Sequence, residues 1–556
     1  MTQRITRRAL VRGMAAGALL PWWTGIGTAA AATSAAVFGH GVASGDPDRD
    51  SVVLWTRVTT ASSATTVAWQ VALDPAFTRI VRSGSTDTDA ARDFAVKVLA
   101  TDLSAGGRYY YRFVCEGVTS MVGRTRTLPA GAVDALGLAV VSCSNFPFGH
   151  FNAYDAIARD ADVDLVLHLG DYLYEYAADS WGSDVGARIG RLHVPAGEIV
   201  SLDDYRTRHA QYRTDPASIL MHAAHPLIAI WDDHESTNNP WTGGAQNHQP
   251  DTEGDWPSRR DSSVQAYYEW MPVREVPPGA DRAARWRHFE FGDLASIIAV
   301  ETRHTGRAEQ IDYLDHLDAE SSPEEVERFR AEVLGAPGRT MMAPRQEAFV
   351  GDALAASLAA GRPWRILANQ VPMARIQVPP MTDPAFDAIR EDAAHAAHGQ
   401  LAGLTALGTH DLPIYLDTWD GYPWARERFY ALCADAGVRD LLVLTGDSHA
   451  FWLNELRDDA GAAVGLELGT TGVTSPGDFA DFGPALGARI DAQLAEHNPE
   501  VLWTDNVPRG YLRVDLTRTQ AQARFIALSA VETTDYSLSV LREETIRPVD
   551  GRLDLD

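Results

Sequence analysis

The chain has 556 residues, 45% of them hydrophobic and 22% charged, an ordinary globular composition with enough apolar material for a large core spread over two or three domains. Its 75 acidic against 48 basic residues give a net charge of −27. That argues against nucleic acid as a main partner, and it demands a local group of cations or metals wherever an anionic substrate binds. Three cysteines allow at most one disulfide and exclude a disulfide-stapled scaffold, and the single lysine, Lys97, reads first as a composition bias.

Residues 1–32 read as an export signal. Thr6-Arg7-Arg8-Ala9-Leu10-Val11-Arg12 precedes a mildly apolar Ala/Gly-rich stretch, and the small residues Ala29 to Ala32 offer an A-x-A cleavage site. This is a twin-arginine signal, implying the twin-arginine export machinery as partner and a soluble, secreted mature protein. The pathway carries folded proteins, which suits an enzyme that acquires metal before export. No later stretch is long and apolar enough to span a membrane.

Residues 36–129 are expected to form a small β-sandwich of fibronectin or immunoglobulin type. SVVLWTRV, TTVAWQVAL, FAVKVLATDL, RYYYRFVCEG and MVGRTRTL follow one another at sandwich-like spacing. Asp46-Pro47-Asp48 and Ala105-Gly106-Gly107 supply turns, and Pro129-Ala130-Gly131 is the linker. Cys115, in a strand-like run, reads as core.

From 132 to 556, apolar strands alternate with helical segments such as HFNAYDAIARDAD and DDYRTRHAQYRT, which predicts an α/β domain. Four continuous apolar runs, each reading as a strand buried on both faces, end on residues that can bind metal. LGLAVVS leads to Cys143, and VDLVLHLG to Asp171. PLIAIW leads to Asp232-Asp233-His234, and LLVLTG to Asp447-Ser448-His449. Ligands gather beyond the strand ends of open α/β sheets, so these four ends predict one polynuclear metal centre. Further strands are expected in ASIIAVET and WRILANQ, and a late hairpin in GYLRVDLTRTQAQARFIAL. The Gly/Pro/Asn/Trp-rich stretch from Asn238 to Arg260 reads as a long irregular active-site loop. Cys433 sits in a helical pattern and reads as core.

The chemistry is most concentrated in Trp231-Asp232-Asp233-His234-Glu235, where three acids and a histidine after a buried strand would be costly without cations. Asn238 and Asn239 can add neutral oxygens. His234 can ligate metal or act as general acid toward a leaving group. Cys143 supplies a soft thiolate, and a phenolate from Tyr174 favours ferric iron. Remaining oxygen ligands suit calcium. Such cations polarise a phosphoryl group and activate hydroxide. Arg303, Arg260 and Arg345 are candidates to grip phosphoryl oxygens; His209, His222 and His225 read as surface or core. A Ser-His-Asp hydrolase does not fit, since no G-x-S-x-G elbow appears.

HGVASGDPDRDSVVLWTRV, SCSN, HLGDYLYE, WDDHE with Asn-Asn following, TWDGYPWARERF and LTGDSHAFW together resemble the PhoD-like family of alkaline phosphatases. The resemblance runs from about Phe38 through the 440s. It implies a metallophosphoesterase domain of packed sheets with flanking helices after a small β-sandwich. It also implies Fe3+ held by Cys143, Asp171, Tyr174 and His449, and Ca2+ held by Asp171, Asp233, Asn239 and Asp447. His234, Asp233 and Arg303 would be the catalytic set. The implied function is an exported monomeric phosphatase acting on phosphomonoesters and phosphodiesters through a metal-activated hydroxide. The alternative is a phospholipase D-like enzyme acting on phospholipid, motivated by Trp241 and Trp256. A non-catalytic secreted binder of phosphate is the contrasting class. Glu301-Thr302-Arg303 departs from the Asp-Thr-Arg of many relatives, and a helix covering the site in relatives would correspond to residues 535–545.

Overall fold

A computed structural model describes residues 37–318 and 321–556; the expected export signal lies outside them. Among the described residues no helix is long and apolar enough to cross a membrane.

Two large sheets face each other. In the ten-stranded sheet, Ala135–Val141, Leu165–His168 and Leu227–Ala229 lie side by side and parallel. In the seven-stranded sheet, Ala295–Ala299, Trp364–Ala368, Leu441–Thr445 and Ala463–Gly469 do the same. The expected strands are therefore in place, and their unbroken apolarity has a direct cause. Alternate side chains serve two different cores. Leu138, Val140, Leu167, Ile297, Ile366 and Leu444 point between the sheets. Ala139, Val141 and Val166 meet Tyr154, Ile157, Tyr205 and Met221 on one outer face. Ile298, Leu367 and Val443 meet Val350, Leu354, Phe429 and Cys433 on the other. The result is a helix–sheet–sheet–helix sandwich, in which each fully buried aliphatic side chain contributes about 1.5–3 kcal/mol.

The hairpin Arg509–Thr517 and Ala521–Leu528 forms as expected and extends the ten-stranded sheet beside Ala135–Val141. The sequence after it departs from expectation. Leu538–Val549 is a strand paired antiparallel with Ala521–Leu528, not a helix over the site. Its backbone hydrogen bonds are satisfied along that neighbour, which outweighs the modest helix propensity of 535–545.

The N-terminal strands do pack as a sandwich. Val42, Val52 and Leu54 face Val67, Val71, Tyr111 and Phe113 of a separate five-stranded sheet. One layer of that sandwich, however, continues the ten-stranded sheet, with Val42–Gly45 lying parallel to Leu227–Ala229 in register at Gly45↔Leu227. Buried Asp46 braces the junction. It accepts the Arg274 backbone N–H at 2.8 Å and an Arg285 guanidinium N–H at 2.9 Å, and it also pairs with Arg287. Cys115 and Cys433 are free and buried, as read from their surroundings.

The 238–260 stretch is more ordered than expected. It holds a two-strand ladder, Pro240–Trp241 with Gly244–Ala245, and the helix Trp256–Trp270. The Asp255 side chain caps that helix by accepting the Ser258 N–H at 3.0 Å.

Candidate metal centre

The four strand ends converge. Among the described residues, three overlapping groups bring ligand atoms within 4.8 Å of one another: Cys143, Asp171 and His449; Asp171, Asp233 and His234; and Asp232, Asp233 and Asp447. Asp171 and Asp233 belong to two groups each, so the residues form one continuous cluster. A carboxylate has two oxygens directed to different neighbours, the requirement for a shared ligand.

The backbone at these positions is unusual. Cys143, Asp171, Asn239, Asp447 and His449 have φ of 61°, 55°, 49°, 64° and 52°. Left-handed conformations of non-glycine residues carry a local cost and cluster where function over-determines the chain. Cys143, Asp171, Asp447 and His449 sit in turns that follow buried strands, and these turns bring their side chains to the common centre. Gly170 allows the closest approach. With φ +105° it packs on the next strand end so tightly that a Cβ there would lie 2.3 Å from the Asp232 Cβ.

On the Cys143 side, the Tyr174 hydroxyl donates to Asp171 at 3.0 Å and lies 3.2 Å from His449 Nε2. His449 Nδ1 lies 2.9 Å from the Pro476 carbonyl. A carbonyl only accepts, so Nδ1 carries the proton and Nε2 presents a lone pair to the centre. Burial, with the charge of His234 adding to it, pushes the His449 pKa down to about 4, keeping this ligand-competent form. The Cys143 thiol and Tyr174 phenol are held well above their ordinary pKa values by burial and then by Asp171. An electrophilic cation would reverse both shifts.

On the carboxylate side, Arg303 is fully buried. Its Nε donates to Asp232 at 2.5 Å and an Nη donates to Asp447 at 3.1 Å, with Asp417 at 3.5 Å and Asp233 at 3.9 Å. One guanidinium does not neutralise this group. Burial raises Asp447 well above the usual carboxylate range, with the charges of Asp417 and Asp232 adding to it against Arg303. Burial also pushes Asp232 up to about 6 despite Arg303. Asp171 is raised by burial and by Asp233. For Asp233, burial is outweighed by His234 and Arg303, which bring it below the usual range. Asp232 Oδ2 and Asp233 Oδ1 are buried without a hydrogen-bond partner. Orphaned, crowded carboxylate oxygens beside a thiol, a phenol and an imidazole are a donor set that fits bound cations.

Two glutamates quoted in the sequence motifs without a role turn out to hold the site. Glu235 accepts the backbone N–H groups of Asp171, Tyr172 and Asp232 at 3.1, 2.8 and 2.9 Å, tying two strand ends together. Glu175 receives His234 Nδ1 at 2.6 Å and the Asn238 N–H at 2.8 Å. Burial opposes a charge on His234, but Asp233, Glu175 and Asp171 outweigh it and raise its pKa well above the ordinary imidazole value. The His234 ring lies against Tyr174 with the planes tilted by 31° and centroids 4.2 Å apart, and its Nε2 lies 3.9 Å from Asp233. Spacing alone gave no sign of either glutamate's function, because both act on backbone groups from other segments. Asp417, which lies outside every motif, also faces Arg303.

Asn239 reaches the cluster through its backbone, donating to Asp233 Oδ2 at 3.0 Å, while its side-chain amide donates to Gln246 at 3.1 Å. Of the three arginine candidates only Arg303 arrives, and it lies beneath the carboxylates. Arg260 pairs with its neighbour Asp261. Arg345 lies over Trp286 beside Asp281. Glu301 accepts the backbone N–H groups of Arg303, His304 and Thr305, so this glutamate itself shapes the turn that delivers Arg303. His209, His222 and His225 are buried away from the cluster. Trp256 is buried against His248 and His304 rather than displayed on a loop.

Two family models match the chain: "PhoD-like phosphatase" over residues 138–525 and "PhoD-like phosphatase, N-terminal domain" over residues 25–129. The chain is 35% identical over 520 residues to alkaline phosphatase D of Bacillus subtilis (strain 168), covering 90% of this chain and 79% of that protein. A solved structure described as PhoD superposes with a TM-score of 0.76 at 32% identity, covering 94% of this chain and 92% of that one.

Proposed function

The chain belongs to the PhoD-like phosphatase family, and from that premise we propose that it is an exported, metal-dependent hydrolase of phosphomonoesters and phosphodiesters. The observation that carries the reading is the overlap of the three ligand groups through Asp171 and Asp233. Cys143, Tyr174, His449 and Asp171 would hold ferric iron. Asp171, Asp233, Asp447 and Asn239 would hold calcium, with hard oxygen donors on that side and soft or phenolic donors on the other. Bound there, the cations would neutralise phosphoryl oxygens and provide a nucleophile at neutral pH.

The protein's own groups do the rest. Glu235 fixes the relative position of the two strand ends that carry Asp171 and Asp233. Arg303 supplies a buried counter-charge to Asp232 and Asp447, so its role is to hold the carboxylates in place; it does not close over a substrate. Glu175 orients His234 and favours its protonated form. Nε2–H is then free to give its proton to the departing alkoxide oxygen, as a general acid.

The test compares a phosphomonoester, a phosphodiester and phosphatidylcholine as substrates for the metal-loaded full chain, with Asp171→Asn as control. Turnover of both simple esters that collapses in D171N and after chelation is expected. Hydrolysis of phosphatidylcholine alone would favour the phospholipase D-like alternative. Stoichiometric phosphate binding without turnover would make the protein a binder and overturn the reading.

A further inference from the structure

At the mouth of the cluster, on its Cys143 side, stands Trp181, the one tryptophan among the large exposed apolar side chains of the described residues, 37% exposed. Its indole lies nearly parallel to the His449 imidazole, with centroids 5.8 Å apart and planes inclined by 15°. Phe148 meets it edge-on at 4.8 Å, Tyr174 lies at 5.7 Å, and Tyr176 meets it edge-on at 6.0 Å. Four aromatic groups therefore pack around the ring, which still keeps 37% of its surface exposed. The adjoining backbone is built to allow this. Gly182 has φ +89°, and a Cβ there would come within 2.9 Å of the Phe148 ring, so only glycine lets the loop seat the indole against Phe148. Among the described residues no acceptor bonds the indole N–H, which is left as a free donor at the mouth. Burying Trp181 fully elsewhere would have been favourable, yet the fold clamps it half in water next to the reacting centre.

We propose that Trp181 is a specificity-determining residue that contacts the organic group of the phosphate ester. Its outward π-face forms the wall against which that group rests, which selects planar aryl or heterocyclic esters over small aliphatic ones. This inference rests on the phosphatase reading above. Stacking of two rings adds interaction beyond simple area burial, and only a planar group can use it, so the gain appears as a ratio between substrates.

The experiment measures kcat/KM of the metal-loaded full chain for phenyl phosphate and for glycerol phosphate, in the wild type and in Trp181→Phe, Trp181→Leu and Trp181→Ala. Taking the ratio within each protein and comparing it between proteins cancels the intrinsic difference between the leaving groups. A fall in the aryl-to-alkyl ratio of roughly fivefold in W181L and W181A, with W181F intermediate, is expected. The ratio of inhibition constants for phenylphosphonate and methylphosphonate should move in parallel, since these do not react. W181L keeps bulk against Phe148 and serves if W181A folds poorly. Equal losses for both esters in every variant, or an unchanged ratio, would reduce Trp181 to a packing residue and overturn the inference. Absence of turnover of either ester by the loaded wild type would instead remove the phosphatase reading beneath it.

Discussion

Glu235 offers a sharp perturbation because its carboxylate does one identifiable thing: it terminates three buried backbone N–H groups from two strand ends. Glu235→Ala leaves all three without an acceptor. An unsatisfied buried N–H costs about 1–3 kcal/mol, so the gross loss for the three is roughly 3–9 kcal/mol. Removing the carboxylate returns part of this, since burial pushes its pKa up to about 7 against the help of the same three N–H groups, with Asp232 adding to the rise. A net destabilisation of about 3–4 kcal/mol is expected. Glu235→Gln keeps one accepting oxygen but presents an NH2 where a second acceptor was needed, so it should fall between, at about 1–3 kcal/mol. Urea denaturation of the chelated protein measures both. The same variants should bind metal some 10–100-fold more weakly, by analogy with other residues that orient ligands, in a competition titration against a chelator. A Glu235→Ala protein within 1 kcal/mol of wild type, with undiminished metal affinity, would refute the argument that this carboxylate assembles the site.

Three further outcomes follow from the same geometry. Gly170→Ala must accommodate a Cβ 2.3 Å from that of Asp232 at φ +105°; separation of the two strand ends and loss of bound metal are expected, and a variant with wild-type metal content would contradict it. His234→Asn should lower kcat by about 10²–10⁴-fold for alkyl esters and much less for p-nitrophenyl esters, whose leaving group needs little protonation; equal losses would remove the general-acid role. Burial, assisted by Arg213, pushes buried His209 down to about 3, and burial does the same to His168. Unfolded histidines titrate near 6.5. Their contribution is thus complete above that pH and is lost as pH falls from about 6.5 toward 3, because the unfolded chain binds protons that the folded one refuses. Stability measured by urea denaturation should decline across that window. His209→Phe should flatten the slope by about 1.4 kcal/mol per pH unit, and an unchanged slope would contradict the assignment.

Much of the fold was legible because parallel strands buried on both faces write themselves as unbroken apolar runs. Ala135–Val141 and Leu441–Thr445 are examples, each feeding two cores at once. Their ends pointed to the cluster for the same reason, since acids and a histidine beyond a buried strand need a compensating charge. What escaped was decided by distant partners. Leu538–Val549 became a strand because Ala521–Leu528 offered an open edge. Arg260 and Arg345 were drawn off by Asp261, Trp286 and Asp281. Glu175 and Glu235 bond backbone groups up to 64 residues away, and no local pattern encodes that. The N-terminal sandwich was visible from its strand spacing, but the single register contact Gly45↔Leu227 that fuses it to the main sheet was not.

The central claim is that these strand ends hold iron on the Cys143–Tyr174–His449 side and calcium on the carboxylate side. Elemental analysis of the purified full chain, with the visible absorption spectrum of wild type and Tyr174→Phe, tests it most directly. The account predicts bound iron and calcium, a phenolate-to-iron absorption that disappears in Y174F, and calcium retained in that variant. Full activity in protein carrying no iron, or a spectrum indifferent to Tyr174, would contradict it.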